Sequence, residues 1–354
     1  VTPSGLFGSI AAAHTDYTIQ NLTVSGAKVY SFKKAAERIN EDLNAYVNAA
    51  GVLAAAVAAL GGSNGVPIIR NCVVTDSAVT GVRQAAGLLG NASYAQITSC
   101  KVSGTQVTGD GCTAGFAAYA FACDIKDSAV SNAAVSGTWS VGGFAGEISD
   151  GSVENCTASG EVTATDWHSG GFVGFANVFN DTLNIKKCTS DVVVKCLSGD
   201  GYEPRTGAFV GQLVSVTELS DCNALGEVVD SHLDKNAVGR FAGRAAESLN
   251  IVNCTYNNKV NAELAVIGTG AACTVDQIGP YYAEYAAVDA AIKAAEALNK
   301  DIYKDFTAVT EAVNAVVRDK RAFEQAVVDG YAKAINDAVA TLEYKEADYS
   351  AVDE

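Results

Sequence analysis

Aromatic and charged residues of the kind that bind sugars or peptides gather in four short segments, spaced roughly one sequence repeat apart. Aromatic rings stack on sugars and apolar side chains, while neighbouring carboxylates and cations orient a ligand. The candidate ligand-binding residues are Trp139; Asp166, Trp167 and His168; Asp200, Tyr202, Glu203 and Arg205; and Asp230, His232 and Asp234. If the chain stacks these segments on one another, we expect them to share one surface. The alternative is that they are polar loops without a ligand.

The same residues could instead support cleavage of a polysaccharide. Two carboxylates about 5–10 Å apart act as acid and base on a glycosidic bond, and Glu203 with Asp166 or Asp230 could form such a pair. The sequence shows no Ser-His-Asp order, phosphate-binding loop or metal-ligand spacing. His168 and His232 are expected to be surface residues rather than zinc ligands. We therefore expect no catalytic residues, no metal, no cofactor and no enzymatic activity.

A repeat between Gly5 and Val260 determines how these segments are positioned. Each copy has a glycine-rich cluster around a large apolar residue, then an Ile/Val-x-Asn-Cys cluster, then a β-rich stretch. The apolar residues that open the second cluster are Ile19, Ile69, Ile97, Ile125, Val153, Ile185, Leu219 and Ile251. The large apolar residues of the glycine cluster are Leu6, Val52, Leu88, Phe116, Phe144, Phe172, Phe209 and Phe241. Such units bury their apolar faces only by stacking, which predicts a solenoid.

The repeats are predicted to be strands, because their apolar runs are short, rich in Val and Thr, and interrupted by glycine. At about 3.3 Å per residue, a repeat of about 28 residues makes one coil of about three short strands. The predicted fold is mostly β, a right-handed parallel β-helix over residues 1–279. Extra residues are expected at one corner, before each glycine cluster. The largest insertion, at about 30–50, is predicted to be helical and to cap the open end of the coil.

Three recurring positions have separate structural roles. The glycine pairs are predicted at corners that need positive φ or a close backbone approach. An Asn position is predicted to adopt the left-handed conformation and to bond along the stack; its members are Asn21, Asn71, Asn155 and Asn253, with Asp127 and Asp221 as equivalents. Six cysteines share one inward position and are predicted to be buried free thiols. Cys112 and Cys123, outside that position, are the pair we favour if any disulfide forms.

The glycine clusters at 142–146 and 170–174, each followed by Asn-Cys or Lys-Cys, resemble the GLUG-motif repeats of bacterial surface proteins. The resemblance covers roughly residues 1–260 and implies a coil rather than a particular chemistry. Some immunoglobulin-cleaving metallopeptidases resemble such repeat carriers, but their activity needs His-Glu-x-x-His. None of His14, His168 and His232 is followed by Glu, so that activity is not implied here.

Composition changes after Gly279, where glycine becomes rare and three amphipathic stretches follow at roughly 285–299, 306–318 and 321–342. Their apolar residues recur three and four apart, which predicts a three-helix bundle over 280–346. The motif that begins at Ala283 recurs at Ala347, so residues 347–354 are expected to begin a further copy. This part resembles the FIVAR modules of Gram-positive surface proteins, which implies tandem helical spacers in the parent chain.

The formal charge is −16 and no basic cluster occurs, which argues against nucleic acid as a partner. No run of eighteen apolar residues is present, so no membrane insertion is expected. Taken together, the sequence predicts an extracellular, cell-wall-associated adhesion or recognition protein whose β-helix binds a glycan or host protein. The alternatives are a polysaccharide hydrolase or lyase and a purely structural wall component.

Overall fold

A computed structural model describes residues 4–12, 15–31, 49–59, 65–197, 204–230, 237–246, 249–270 and 273–346. The chain divides into two compact units, Val1–Gly279 and Pro280–Glu354. The predicted insertion at 30–50 lies mostly outside the described residues, as does the motif at 347–354. The candidate site residues Asp200, Tyr202, Glu203, His232 and Asp234 also lie outside them.

The first unit is a parallel β-solenoid, as predicted, in which each coil contributes strands to three sheets. Within the described residues, sheet I has seven strands: Ala49–Gly51, Gln84–Ala86, Cys112–Ala114, Ser140–Gly142, His168–Gly170, Arg205–Gly207 and Ala237–Gly239. Sheet II, over the same ranges, has fifteen strands: Ser9–Ala12, Tyr17–Gln20, Ala54–Ala59, Pro67–Arg70, Leu89–Ser93, Gln96–Thr98, Ala117–Lys126, Ala145–Glu154, Val173–Asn177, Leu183–Lys186, Val210–Leu213, Glu218–Ser220, Ala242–Ala245, Ile251–Val252 and Ile267–Gly270.

Sheet III has thirteen strands in the described part of the chain: Thr23–Ser25, Lys28–Tyr30, Val73–Thr75, Ala78–Gly81, Lys101–Ser103, Gln106–Gly109, Ala129–Gly137, Thr157–Ala164, Thr189–Cys196, Asn223–Ala224, Val228–Asp230, Cys254–Tyr256 and Ile278–Pro280. A coil therefore runs from sheet I through sheet II to sheet III, and the next coil begins again in sheet I. Trp139 and residues 165–167 lie where sheet III returns to sheet I, whereas most of the two later candidate segments lies outside the described residues.

The repeat positions form continuous ladders through the solenoid. All eight apolar residues from Ile19 to Ile251 pair in register, each with its counterpart in the next coil. All are buried. The five phenylalanines of the glycine cluster stack face to face, with ring centroids 4.6–5.0 Å apart. The common core that the repeat predicts is confirmed.

The Asn position adopts the left-handed conformation in every coil, with φ between 52° and 58°. Its members are Asn21, Asn71, Ser99, Asp127, Asn155, Lys187, Asp221 and Asn253. Asn155 Nδ2 donates to Asp127 Oδ1 at 2.6 Å, and Asn71 Nδ2 donates to Asn21 Oδ1 at 3.2 Å. These contacts confirm the predicted bonds along the stack. Because Asn and Asp tolerate this conformation better than most residues, they dominate the position.

All ten cysteines are free thiols, so the pair Cys112 and Cys123 forms no disulfide. In the inward ladder each thiol lies within hydrogen-bond distance of two main-chain carbonyls that share its one proton, as Cys222 does with Ile185 at 3.6 Å and Ser220 at 3.3 Å. Ser128 takes the place of a cysteine in this ladder and donates to the Lys126 carbonyl at 2.9 Å. Burial raises the pKa of Cys222 well above its usual value, and the hydrogen bonding of its protonated thiol with the sulfurs of Cys188 and Cys254 adds to this. The ladder therefore consists of thiols that are shielded from solvent.

We expect this shielding to be visible in thiol labelling. In the folded protein, an aromatic disulfide reagent should reach only Cys112 and Cys273, the two partly exposed cysteines, and should react slowly even there, because burial raises the pKa of both thiols. Unfolding should release all ten thiols, because thiolate formation and access both limit the reaction. Rapid labelling of Cys156 or Cys188 in the folded state would contradict the ladder.

The second unit contains three helices, as predicted: α1 (Ala286–Glu296), α2 (Thr307–Asn314) and α3 (Gln325–Ala340). Short 3-10 turns, Lys300–Ile302 and Ala322–Glu324, precede α2 and α3. Their common core contains Val288, Val309, Val328 and Ile335. In the 321–342 stretch, the three- and four-residue spacing predicts that Phe323 and Val327 face the core, but this is wrong, because Phe323 is 87 % exposed and Val327 is 47 % exposed. Helix α3 begins later than predicted and turns Val328, not Val327, toward the core.

Candidate functional site

Sheets I and II meet at a tight angle that is lined with glycine. A Cβ on Gly142 would lie 1.9 Å from the Ala145 carbonyl oxygen and 2.9 Å from the Gly174 nitrogen. A Cβ on Gly146 would lie 2.6 Å from the Ala118 carbonyl oxygen. Neither glycine has positive φ, so the clusters serve close backbone approach and not the left-handed conformation. This corrects one of the two roles predicted for them.

Side chains that point away from the hydrophobic core line this angle in two ladders, which we call the angle groove, and several of them are buried there. On sheet I they are Gln84, Cys112, Ser140, His168 and Arg205, aligned by the strand register. On sheet II they are Asn91, Tyr119, Glu147, Phe175, Gln212 and Arg244. Residues seven apart in one coil meet across the angle: Asn91 Nδ2 donates to Gln84 Oε1 at 3.2 Å, and the rings of His168 and Phe175 lie 5.1 Å apart.

The two tryptophans of the chain stack on each other just before their sheet I strands. The ring centroids of Trp139 and Trp167 are 5.7 Å apart and the planes differ by 11°. Trp139 is 55 % exposed. One coil earlier the corresponding residue is Gly111, which has no side chain to cover Trp139. A Cβ there would lie 2.1 Å from the Arg83 carbonyl oxygen, so the backbone enforces glycine. The stack therefore presents an open aromatic surface.

His168 joins this aromatic surface to the angle groove. Its ring lies 5.6 Å from that of Trp167, edge to face. Contrary to the prediction of a surface residue, His168 is only 6 % exposed, because it sits between Ser140, Arg205 and Phe175. Burial, followed by the charge of Arg205, lowers the pKa of His168 to about 4. The ring is therefore neutral at physiological pH.

The hydrogen bonds of His168 fix its tautomer. Arg205 is always a donor, so its Nη1 donates to His168 Nε2 at 3.1 Å. The ring proton is then on Nδ1, which donates to Ser140 Oγ at 3.4 Å. In this arrangement the imidazole has no free lone pair facing Ser140. The pair therefore lacks the geometry by which a histidine activates a serine nucleophile.

Two predicted carboxylates have local structural partners. Asp166 Oδ1 accepts a hydrogen bond from the Trp167 nitrogen at 3.0 Å, which holds the turn that carries the indole. Asp230 Oδ2 accepts from Thr206 Oγ1 at 3.5 Å. The structure thus brings Trp139, Trp167, His168 and Arg205 together, while Asp166 supports the site from the turn.

Sequence reasoning missed Glu147 and Phe175, which face the groove from sheet II. Burial raises the pKa of Glu147. The Cys112 thiol donates to its Oε2 at 3.7 Å. Their signal in the sequence is the position one residue after the last glycine of each cluster, which is occupied by Glu147, Phe175, Gln212 and Arg244. That position varies in type, so no motif marks it.

Coils also gain residues at a second place that the sequence did not predict. Extra residues occur before sheet I, as predicted, and also in the middle of sheet II. There the ten-residue strands Ala117–Lys126 and Ala145–Glu154 are continuous, but the next coil is interrupted at 178–182. Asp150 anchors this interruption by accepting hydrogen bonds from the nitrogens of Phe179 and Asn180 at 2.7 and 2.9 Å.

The depressed pKa of His168 predicts a pH-dependent stability. An unfolded histidine takes up a proton near pH 6.5, whereas folded His168 does so near 4. Between these values the unfolded state binds more protons, so the free energy of unfolding should fall as pH falls, by up to about 3 kcal/mol. Urea unfolding of the wild type and His168→Gln across this range measures the effect. The raised pKa of Glu147 has the opposite effect on the pH dependence of the free energy of unfolding, and this effect is the same in the wild type and in His168→Gln. If the free energy of unfolding fell equally with pH in the wild type and in His168→Gln, the lowered pKa of His168 would be contradicted.

No helix in the described ranges is long and apolar enough to cross a bilayer. In those ranges, no three His, Cys, Asp or Glu side chains come together in a way that could hold a metal ion.

Comparison with known proteins identifies one motif in the first unit and does not identify a ligand. The family model of the GLUG motif matches residues 137–163, which contain Trp139, the 142–146 glycine cluster and Cys156. No curated protein matches the chain. A crystal structure described as a "putative immunoglobulin A1 protease from Bacteroides ovatus" is similar over 86 % of this chain and 84 % of that chain. Its sequence identity is 16 % and its TM-score is 0.45. The parallel sheets show that the first unit is a β-solenoid, and the family match shows that it carries a GLUG motif at 137–163.

Proposed function

We propose that the solenoid is a non-enzymatic recognition module of an extracellular, cell-surface protein, and that it binds a glycan or a host protein through Trp139 and Trp167. The observation that carries the proposal is the indole stack beside the angle groove, in which Trp139 is exposed and Trp167 is partly buried. Exposed aromatic faces next to hydrogen-bonding groups are typical of sites for sugars and peptides.

The helical unit supports a spacer role in this proposal. Its motif at Ala283 recurs at Ala347, as expected for modules in tandem. In the first copy, Tyr285 Oη donates to the Val317 carbonyl at 2.8 Å and Val288 is fully buried, so the motif serves helix packing. FIVAR-like modules of this kind would hold the solenoid away from the cell wall.

A polysaccharide-cleaving enzyme is the second candidate, because Glu147 has a raised pKa in a groove. A protonated carboxyl could act as a general acid, but a hydrolase needs a second carboxylate about 5–10 Å away. Asp166 and Asp230 are engaged in the local hydrogen bonds described above. We therefore favour binding over catalysis.

Glycan and host-protein arrays, followed by titration, test the proposal. Any ligand found should bind Trp139→Ala and Trp167→Ala at least about tenfold more weakly, a loss of about 1.4 kcal/mol. Phe179→Ala is the matched control, because Phe179 is an exposed aromatic residue of the same unit outside the stack. Only these two tryptophans occur in the chain, so intrinsic tryptophan fluorescence reports directly on the site. Unchanged affinity in both tryptophan variants would exclude this surface.

A further inference from the structure

One side chain is missing from the ladder that contains the two tryptophans. The bends that lead into sheet I have two residues each in three successive coils, at 82–83, 110–111 and 138–139. The strands on both sides of these bends pair in register, so their second residues, Arg83, Gly111 and Trp139, occupy one position of the coil. A Cβ on Gly111 would lie 2.1 Å from the Arg83 carbonyl oxygen, so the two backbones are in direct contact. Only backbone therefore separates the level of Arg83 from that of Trp139.

This gap leaves one face of Trp139 uncovered. Trp167 stacks on the other face, and Trp139 is nevertheless 55 % exposed. Arg83, two coils away on the open side, is exposed as well. Two coil spacings amount to about 9.6 Å, so a slot of this width lies between the level of Arg83 and the indole, with the Gly111 backbone as its floor. One wall of the slot is thus aromatic, and the side chain at the opposite wall is a cation.

Two opposite charges lie at this slot. Arg83 and Asp110 are both exposed, and in the part of the chain that the structure describes neither takes part in an ion pair. Burial and the neighbouring Glu147 raise the pKa of the Cys112 thiol, while the charge of Arg83 lowers it, so the guanidinium lies near the residue that follows Gly111. Asp110 directly precedes that glycine. The slot is therefore neutral as a whole and suits an uncharged ligand that forms hydrogen bonds.

The width of the slot favours a sugar ring over a flat ring. Carbon atoms in contact are about 3.5–4.0 Å apart, so a flat aromatic ring held between two surfaces takes up about 7–8 Å. Part of a slot of about 9.6 Å would then stay empty. A pyranose chair is thicker, because its axial hydrogens stand above and below the mean plane of the ring. Its hydroxyls also accept hydrogen bonds from a guanidinium and donate them to a carboxylate.

We infer that the slot binds one terminal, uncharged pyranose unit of a glycan, with one face of the sugar on Trp139, the other on Arg83, and its hydroxyls bonded to Arg83 and Asp110. The inference rests on the proposed function and specifies both the ligand class and the part of the glycan that is recognised. The unit is terminal because the Gly111 backbone closes the inner side of the slot, whereas an internal unit must continue in two directions. Arg83 serves twice, since a guanidinium stacks through its flat face and donates through its edge.

Titration of the full chain with four methyl pyranosides tests the inference: those of galactose, glucose, mannose and N-acetylglucosamine. Trp139 and Trp167 are the only tryptophans, so their fluorescence reports on the slot directly. We expect a saturable change with at least one of the four, and an oligosaccharide that ends in the same sugar should bind within about threefold of that affinity. Arg83→Gln and Asp110→Asn should each weaken binding at least about fivefold, because each removes a charged hydrogen-bonding partner. Arg70→Gln is the control, because Arg70 is an exposed arginine that lies in sheet II.

The outcomes separate this inference from the proposed function. The terminal-sugar assignment would be overturned if no pyranoside gave a saturable change, if Arg83→Gln and Asp110→Asn bound as well as the wild type, or if affinity rose with every added sugar unit. Tighter binding of N-acetyltyrosinamide, which carries a flat aromatic ring, than of any pyranoside would overturn it in favour of a protein side chain. If glycans or host proteins from the arrays still bound in a tryptophan-dependent way, the proposed function would stand without it. Binding that depends on neither tryptophan would overturn both.

Discussion

Replacing Gly142 with alanine should disrupt the solenoid more than its single added methyl group suggests. The new Cβ would lie 1.9 Å from the Ala145 carbonyl oxygen, and backbone atoms, unlike the ends of side chains, cannot move aside cheaply. Overpacking of this kind costs roughly 3 kcal/mol and often lowers the yield of folded protein. Urea unfolding followed by far-UV circular dichroism would measure the loss.

Gly330→Ala is the matched control for this substitution. Gly330 is an exposed residue within α3, and a Cβ there would meet nothing within 4 Å. The same chemical change should therefore stabilise the helical unit, by about 0.5–1 kcal/mol. If Gly142→Ala left the solenoid transition unchanged, the tight angle between sheets I and II would be wrong.

The second large effect is expected from Phe144→Ala. Phe144 is fully buried, and its ring stacks between Phe116 and Phe172 at centroid distances of 4.6 and 4.8 Å. Removing a buried phenylalanine side chain costs about 3–5 kcal/mol, since both the transfer energy and the cavity contribute. Because coils of a solenoid contact only their neighbours, we also expect the unfolding transition to broaden or split at this coil.

Phe179→Ala is the control for Phe144→Ala. Phe179 lies in the same unit but is 72 % exposed, so its removal should change the free energy of unfolding by less than about 0.5 kcal/mol. Phe144→Leu should recover most of the loss, since leucine fills the equivalent position at Leu88. Similar losses for Phe144→Ala and Phe179→Ala would contradict a continuous phenylalanine ladder.

The solenoid was predictable because its constraints recur in every coil. A residue that must lie inside at Ile97 must also lie inside at Ile125 and Val153, so the repeat itself reveals the core. The left-handed position could be predicted from the sequence only in the coils where Asn or Asp occupies it. Ser99 and Lys187 adopt it with φ of 54°, although neither residue type favours it, because the stacked backbone on both sides determines their conformation.

The candidate site was less predictable, since it depends on contacts between different ladders. The sequence places Trp139 and Trp167 one repeat apart, which was enough to expect a shared surface, and they do stack. The sequence does not show that sheets I and II meet at a tight angle. His168 was therefore expected at the surface but is buried, and Glu147 and Arg244 were missed. In the helical unit, the exposed Phe323 shows that an apolar period alone does not fix where a helix begins.

The central claim is that the coil register stacks two tryptophans, 28 residues apart in sequence, into one surface. Circular dichroism in the indole absorption bands tests it directly, because parallel rings with centroids 5.7 Å apart couple their transitions. We predict an exciton couplet in the wild type that disappears in both Trp139→Phe and Trp167→Phe. A wild-type spectrum equal to the sum of two isolated tryptophans would contradict the stack and the binding surface built on it.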